Sequence, residues 1–146
     1  MKSSFIAGFL SLLALPCFAN DWSLGGVTDG MAEIIDHDTV RNYQGFKEAV
    51  ILQVVDYPEI TAVLAKELFD CKTRRFIEGD RYILFKNGNQ KHVPGEAKWI
   101  SIIRGSTKDG TLSEVCHRTM ASSFPSDASI ASIIVSVKEA MKKQYR

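Results

Sequence analysis

The stretch Ala49-Val50-Ile51-Leu52-Gln53-Val54-Val55-Asp56-Tyr57 sets the strongest constraint on what this chain can fold into. It is β-branched and apolar, and it stops just before Pro58, which cannot donate to a ladder. Its apolar side chains fall on both faces. A strand of this kind sits inside a sheet with something packed over each side, so the fold must supply two covers.

Further strands follow from the same reading. Trp22 to Asp38 alternates loosely around the turn signals Gly25-Gly26 and Asp29-Gly30 and predicts one or two short strands. His37-Asp38-Thr39 reads as a polar, solvated turn. Ile60 to Ala65 fits either a helix start or a lead into the next strand. Glu67 to Phe76 alternates as a strand, with Phe69 and Cys71 on one face and Asp70, Lys72 and Arg74 on the other. Glu78-Gly79-Asp80 reads as the turn of a β-hairpin spanning 67–85 and leading into Arg81-Tyr82-Ile83-Leu84-Phe85. Asn87-Gly88-Asn89 is a second turn, Gln90 to Glu96 reads as a polar loop, and Trp99 to Ile103 as a last strand.

The end of the chain is helical in pattern. Thr111-Leu112-Ser113-Glu114 has capping-box spacing and predicts a short helix carrying Cys116. A second helix is expected from Ser126 as N-cap, with Ile130, Ile133, Ile134, Val137 and Met141 on one face and Lys142, Lys143 and Arg146 in the last turn. An apolar stripe at that spacing must be buried, and the sheet is the only large partner available. The expected architecture is α+β, an antiparallel β-sheet with the C-terminal helix packed on one face. The sheet face left open predicts packing against a second copy, a homodimer.

Residues 1–19 read as a signal peptide: Lys2, then an uncharged run through Phe5, Ile6, Phe9, Leu10, Leu12, Leu13 and Leu15, with Cys17 and Ala19 suiting cleavage before Asn20. A retained anchor would want a longer apolar span. Lipidation of Cys17 would want Gly or Ala where Pro16 stands, so a lipid anchor is not expected. Residues 20–146 then form a single domain in the periplasm or at the cell surface, with no transmembrane segment. Two cysteines remain, Cys71 and Cys116. In an oxidising compartment such a pair predicts one disulfide, the alternative being two separate buried thiols.

Removing Lys2 from the eighteen Lys and Arg leaves as many cations as the seventeen Asp and Glu. A neutral domain lacks the field that captures phosphate backbones, so no nucleic-acid partner is expected. His37, His92 and His117 stand in separate segments without a second ligand at metal spacing, which predicts no metal site and no cofactor. Gly25-Gly26 and Gly105-Ser106 lack phosphate-loop spacing, and no nucleophile with its base is apparent, so the chain reads as a non-enzyme. The one local charge feature is a basic strip, Lys72, Arg74 and Arg75. It reads either as a solvated strand face balanced by Glu67, Asp70 and Glu78, or as a patch that docks an acidic partner.

Taken in order, Trp22, Val54-Val55-Asp56-Tyr57, Phe69-Asp70-Cys71-Lys72, the aromatic strand around Tyr82, Lys98-Trp99-Ile100, Gly105-Ser106 and Val115-Cys116 make a pattern that resembles the surface-adhesin protein E family of bacterial envelope proteins. The likeness spans roughly residues 22 to 117. It implies an antiparallel sheet with a C-terminal helix held to it with help from a disulfide. It also implies an envelope location and, for the adhesin that gave the family its name, binding of host extracellular-matrix glycoproteins. A soluble periplasmic accessory or inhibitory protein acting on a bacterial partner is the other function class these residues allow.

Overall fold

The computed structural model describes residues 21–120 and 123–144. The expected signal peptide, Cys17 and Arg146 lie outside the described residues.

Seven strands form one antiparallel sheet: β1 (Trp22–Thr28), β2 (Met31–Tyr43), β3 (Phe46–Val55), β4 (Ile60–Asp70), β5 (Arg75–Phe85), β6 (Gln90–Val93) and β7 (Ile100–Ser101). Strands β1 to β6 lie side by side in chain order, and β7 pairs with β5 at the end away from β6. Two helices follow, α1 (Thr107–His117) and α2 (Ile130–Gln144). The antiparallel sheet, the C-terminal helix and the disulfide stand as expected, in a chain that is mostly β.

The two-sided strand is β3, near the middle of the sheet, and it has its two covers. On one face Trp22, Ala32, Ile34, Leu52, Val54 and Ala62 pack against Ile133, Ile134, Val137 and Met141 of α2. On the other, Ile35, Ala49, Ile51 and Phe69 pack with Ile102 and with Leu112 and Val115 of α1. Register explains the division: Ile34 faces Leu52 across the β2–β3 ladder and Ile35 faces Ile51, so neighbouring pairs point to opposite sides. A second helix therefore occupies the face that the sequence left open for a second copy.

Several boundaries differ from expectation for local reasons. The β4–β5 turn falls at Cys71 to Arg74, not at Glu78-Gly79-Asp80. Asp70 builds it: its carboxylate accepts the Lys72 and Thr73 amides at 3.1 Å each, and Arg74 takes positive φ. Gly79 lies within β5 beside a register shift in the β4–β5 ladder, where a Cβ would collide with the Lys66 carbonyl. Residues 60–65 belong to β4, Gln90–Val93 forms β6 in place of a loop, and the last strand shrinks to Ile100–Ser101. His37 to Thr39 stays within β2, across a register shift between Asp36 and Arg41.

Both helices start where a different serine caps them. Ser106 accepts the Asp109 amide at 3.3 Å, so α1 begins at Thr107 and Thr111 lies buried inside it. Ser129, not Ser126, accepts the Ser132 amide at 3.1 Å and opens α2.

The disulfide joins Cys71 to Cys116, with Cα atoms 5.9 Å apart. It ties the β4–β5 turn to the end of α1, so it is α1, not the C-terminal helix, that it holds. Close packing fixes the other side of α1, where a Cβ on Gly26 would run into the Thr107 carbonyl. Two stability outcomes follow. The Cys71→Ser, Cys116→Ser double variant should lose about 4 kcal/mol in denaturant unfolding, the unfolded chain regaining the freedom of a long loop. Gly26→Ala should lose about 2 kcal/mol in the same assay by prising α1 from β1, and an unchanged midpoint would show that α1 gives way freely.

Candidate functional site

Helix α2 covers only part of its face of the sheet. Alternation places Val50, Leu64, Lys66, Leu68, Ile77 and Tyr82 on this side, in register with one another across β3, β4 and β5. None of these six is fully buried, and Tyr82 is 46% exposed. At one end of this surface Phe46 meets Trp99 with ring centroids 5.0 Å apart, and the Arg75 guanidinium lies 5.2 Å from the Trp99 ring centre. Tyr43, paired with Phe46 at the β2–β3 hairpin, is exposed nearby. At the far edge the His92 ring rests 5.0 Å from Tyr82.

The charged groups around this surface are paired. Glu48 accepts from Arg41 at 2.6 Å and lies 3.2 Å from Lys66 Nζ. Arg75 reaches Asp70 at 3.3 Å, and His92 reaches Asp80 at 3.3 Å. Asp70 is held below the usual carboxylate range, first by the Thr73 hydroxyl and further by the Thr73 amide and Arg75. A shallow cleft of about 340 Å³ opens between Asp38, Arg41, Glu48 and Lys66. The result is a mixed surface of tyrosine, tryptophan and aliphatic side chains with the Glu48–Lys66 ion pair set among them.

The basic strip does not stay together. Lys72 lies exposed in the β4–β5 turn, Arg74 turns to α1 and pairs with Asp109, and Arg75 lies over Trp99. Of the three, only Arg75 belongs to the aromatic surface. Glu67, expected on the solvated side as a balancing charge, is buried.

A second polar cluster had no signal in the sequence. His37 and Glu114 have side chains only 3% exposed, with His37 Nε2 2.6 Å from Ser23 Oγ and 3.3 Å from Glu114 Oε1. Ser23 Oγ in turn lies 3.2 Å from Glu114 Oε1. These are the residue types of a nucleophile relay, but their arrangement is not one. A relay needs the carboxylate on Nδ1 and the hydroxyl on Nε2, whereas here both partners address the same nitrogen. With its proton on Nε2, His37 donates to Ser23 and Ser23 donates to Glu114. The serine is fully buried, and burial, followed by the nearby Arg118 charge, lowers the His37 pKa below its usual 6.5.

Glu114 is the hub of this cluster. Its Oε2 accepts the Thr119 amide and hydroxyl at 3.0 and 2.9 Å and the Met120 amide at 3.1 Å, so it closes the chain after α1. Burial opposes its charge, yet these hydrogen bonds outweigh burial and hold the carboxyl below 4.5. Its contribution is therefore full above pH 4.5 and lost as pH falls through the lowered folded value. Glu114→Gln should cost about 2 kcal/mol at pH 7 by leaving amide and hydroxyl donors poorly matched. It should also flatten the acid limb of stability below pH 4.5, as read by thermal melts across pH.

His117 is exposed at the end of α1, and Cys116 beside it is consumed by the disulfide. Among the described residues no three His, Cys, Asp or Glu side chains gather as a metal site requires, and no helix is long and apolar enough to cross a membrane. Comparison of the chain with protein-family models, with curated proteins and with solved structures returns no match to any of them.

Proposed function

We propose that this chain is a non-enzymatic, exported binding module of the bacterial envelope, and that it engages a protein partner through the open half of the sheet face beside α2. The carrying observation is the aromatic surface itself: Tyr43, Phe46, Tyr82 and Trp99 around Val50, Leu64, Leu68 and Ile77, with the Glu48–Lys66 pair set among them and the Arg75–Asp70 pair at the Trp99 end. Burying such a surface against a partner contributes through apolar area and through Arg75 and Trp99, which are of the residue types that dominate interface energetics. The ion pairs add orientation more than affinity.

Export is supported by the signal-like residues 1–19 and by a disulfide that persists outside the reducing cytosol. The antiparallel sheet and the terminal helix agree with what the resemblance to surface-adhesin protein E implies, while the disulfide, which was to help hold that helix, holds α1 instead; on the footing of the resemblance the partner is a host extracellular-matrix glycoprotein. The Lys72 and Arg74 part of the basic strip is assigned no share in binding, because Arg74 is engaged with Asp109.

The test combines place and contact. Protease added to intact cells should clip the protein, and immobilised extracellular-matrix glycoproteins should retain it in surface plasmon resonance. A Tyr82→Ala, Trp99→Ala double variant should bind at least tenfold more weakly with its melting temperature nearly unchanged, the loss expected of two interface aromatics. A Lys72→Ala, Arg74→Ala variant should bind as wild type does. Full protection from protease on intact cells would move the assignment to a periplasmic accessory protein. Loss of binding confined to the Lys72, Arg74 variant would place the contact on the basic turn instead.

A further inference from the structure

Beneath α1, apart from the binding surface, lies a buried charge cluster. Lys108 points from the helix into the sheet, its Nζ 2.6 Å from Glu33 Oε1 and 2.9 and 2.8 Å from the two oxygens of Glu67. Both carboxylates are almost wholly buried, and the ammonium also sits 4.8 Å from the Phe76 ring centre. One cation thus answers two anions in a closed space, and an uncompensated buried charge is costly.

The two carboxylates are not equivalent. Glu33 is furnished as an anion: Gln53 donates to Oε1 at 3.0 Å and Thr111 to Oε2 at 2.5 Å, in addition to Lys108. Among the described residues Glu67 has Lys108 alone. Across the β4–β5 ladder it faces a further carboxylate, Glu78, whose counter-ion is Arg81 at 3.3 Å. The groups that look onto Glu67 are therefore Glu33 from β2, Glu78 and Arg81 from β5, and Lys108 from α1. The excess negative charge is best relieved by a proton, and Glu67 is the carboxylate with room for one.

We propose that Glu67 is a proton-operated latch for α1: docking of the helix draws one proton from solvent onto Glu67, and losing that proton loosens the helix. Burial raises the Glu67 pKa from 4.5 to about 7, with Lys108 opposing and Glu33 adding to the rise. A carboxyl whose docked value lies above its free value favours docking fully below pH 4.5, and that advantage is lost as pH rises to about 7. The Cys71–Cys116 bond keeps α1 tethered when it lifts.

His37, seated under the other end of α1 against Glu114, titrates in the opposite sense, because its lowered pKa favours docking above 6.5. The comparison of wild type with Glu67→Gln cancels that limb. Glutamine imitates the protonated carboxyl, so the variant should not loosen α1 as pH rises. The readout is amide hydrogen exchange at Leu112 and Val115, corrected for intrinsic rates and converted to an opening equilibrium. The ratio of wild-type to Glu67→Gln opening should rise on the order of fiftyfold from pH 5 to pH 8. A ratio that stays within threefold overturns the latch. Should the variant fail to fold, a ¹³C titration of the wild-type Glu67 carboxyl decides: a midpoint near neutrality sustains the proposal, and a midpoint at or below pH 5 overturns it.

Discussion

The seat of α1 on the sheet is the constraint on which the rest of the structure depends. β3 is apolar on both faces and would expose half its core without a second cover. α2 is an amphipathic helix and covers one face through its own stripe. α1 is weakly amphipathic in sequence and short, and an isolated helix of that length is marginal in water. Its place is secured by other means: the covalent bond at Cys116, the ion pair at Asp109, the ammonium of Lys108 driven between two carboxylates, and a glycine in β1 that admits its backbone. Polar and covalent ties substitute here for hydrophobic area.

The parts of the fold legible in the sequence were those where one local rule acts alone. β3 announced itself by continuous β-branched residues, α2 by an apolar stripe, the β5–β6 turn by Asn87-Gly88, and the disulfide by the two cysteines outside the signal-like residues 1–19. The β2–β3 hairpin gave no warning, because Gln44 stands at a positive-φ position where asparagine or aspartate is the usual signal. Gly79 misled in the opposite direction. Its missing side chain makes room for the Lys66 carbonyl within a paired strand, yet from sequence alone a glycine flanked by Glu and Asp looks like a turn.

The candidate surface and the buried clusters were less legible, since they are assembled from distant segments. His37 between two aspartates looks solvated, but the β2 alternation turns it inward onto Ser23 and Glu114, which is 77 residues further along by their numbers. Glu33, Glu67 and Lys108 come from three elements and carry no spacing that marks them as partners. Trp99 and Phe46 meet although one precedes β7 and the other opens β3. A basic run such as Lys72 to Arg75 is conspicuous in one dimension, and three dimensions send its members to three different places.

The strict neighbour-to-neighbour order of β1 to β6 also bears on how the chain matures. Each hairpin of the meander needs only residues already at hand, so the strands can pair one after another from the β1 end. α1 breaks that locality, since it must fold back onto β1 and β2 from the other end of the sheet. The two sulfurs, 45 residues apart, therefore come within reach only at this late return. Oxidation then seals a nearly finished domain, so that the bond acts as a clasp and not as a scaffold for assembly.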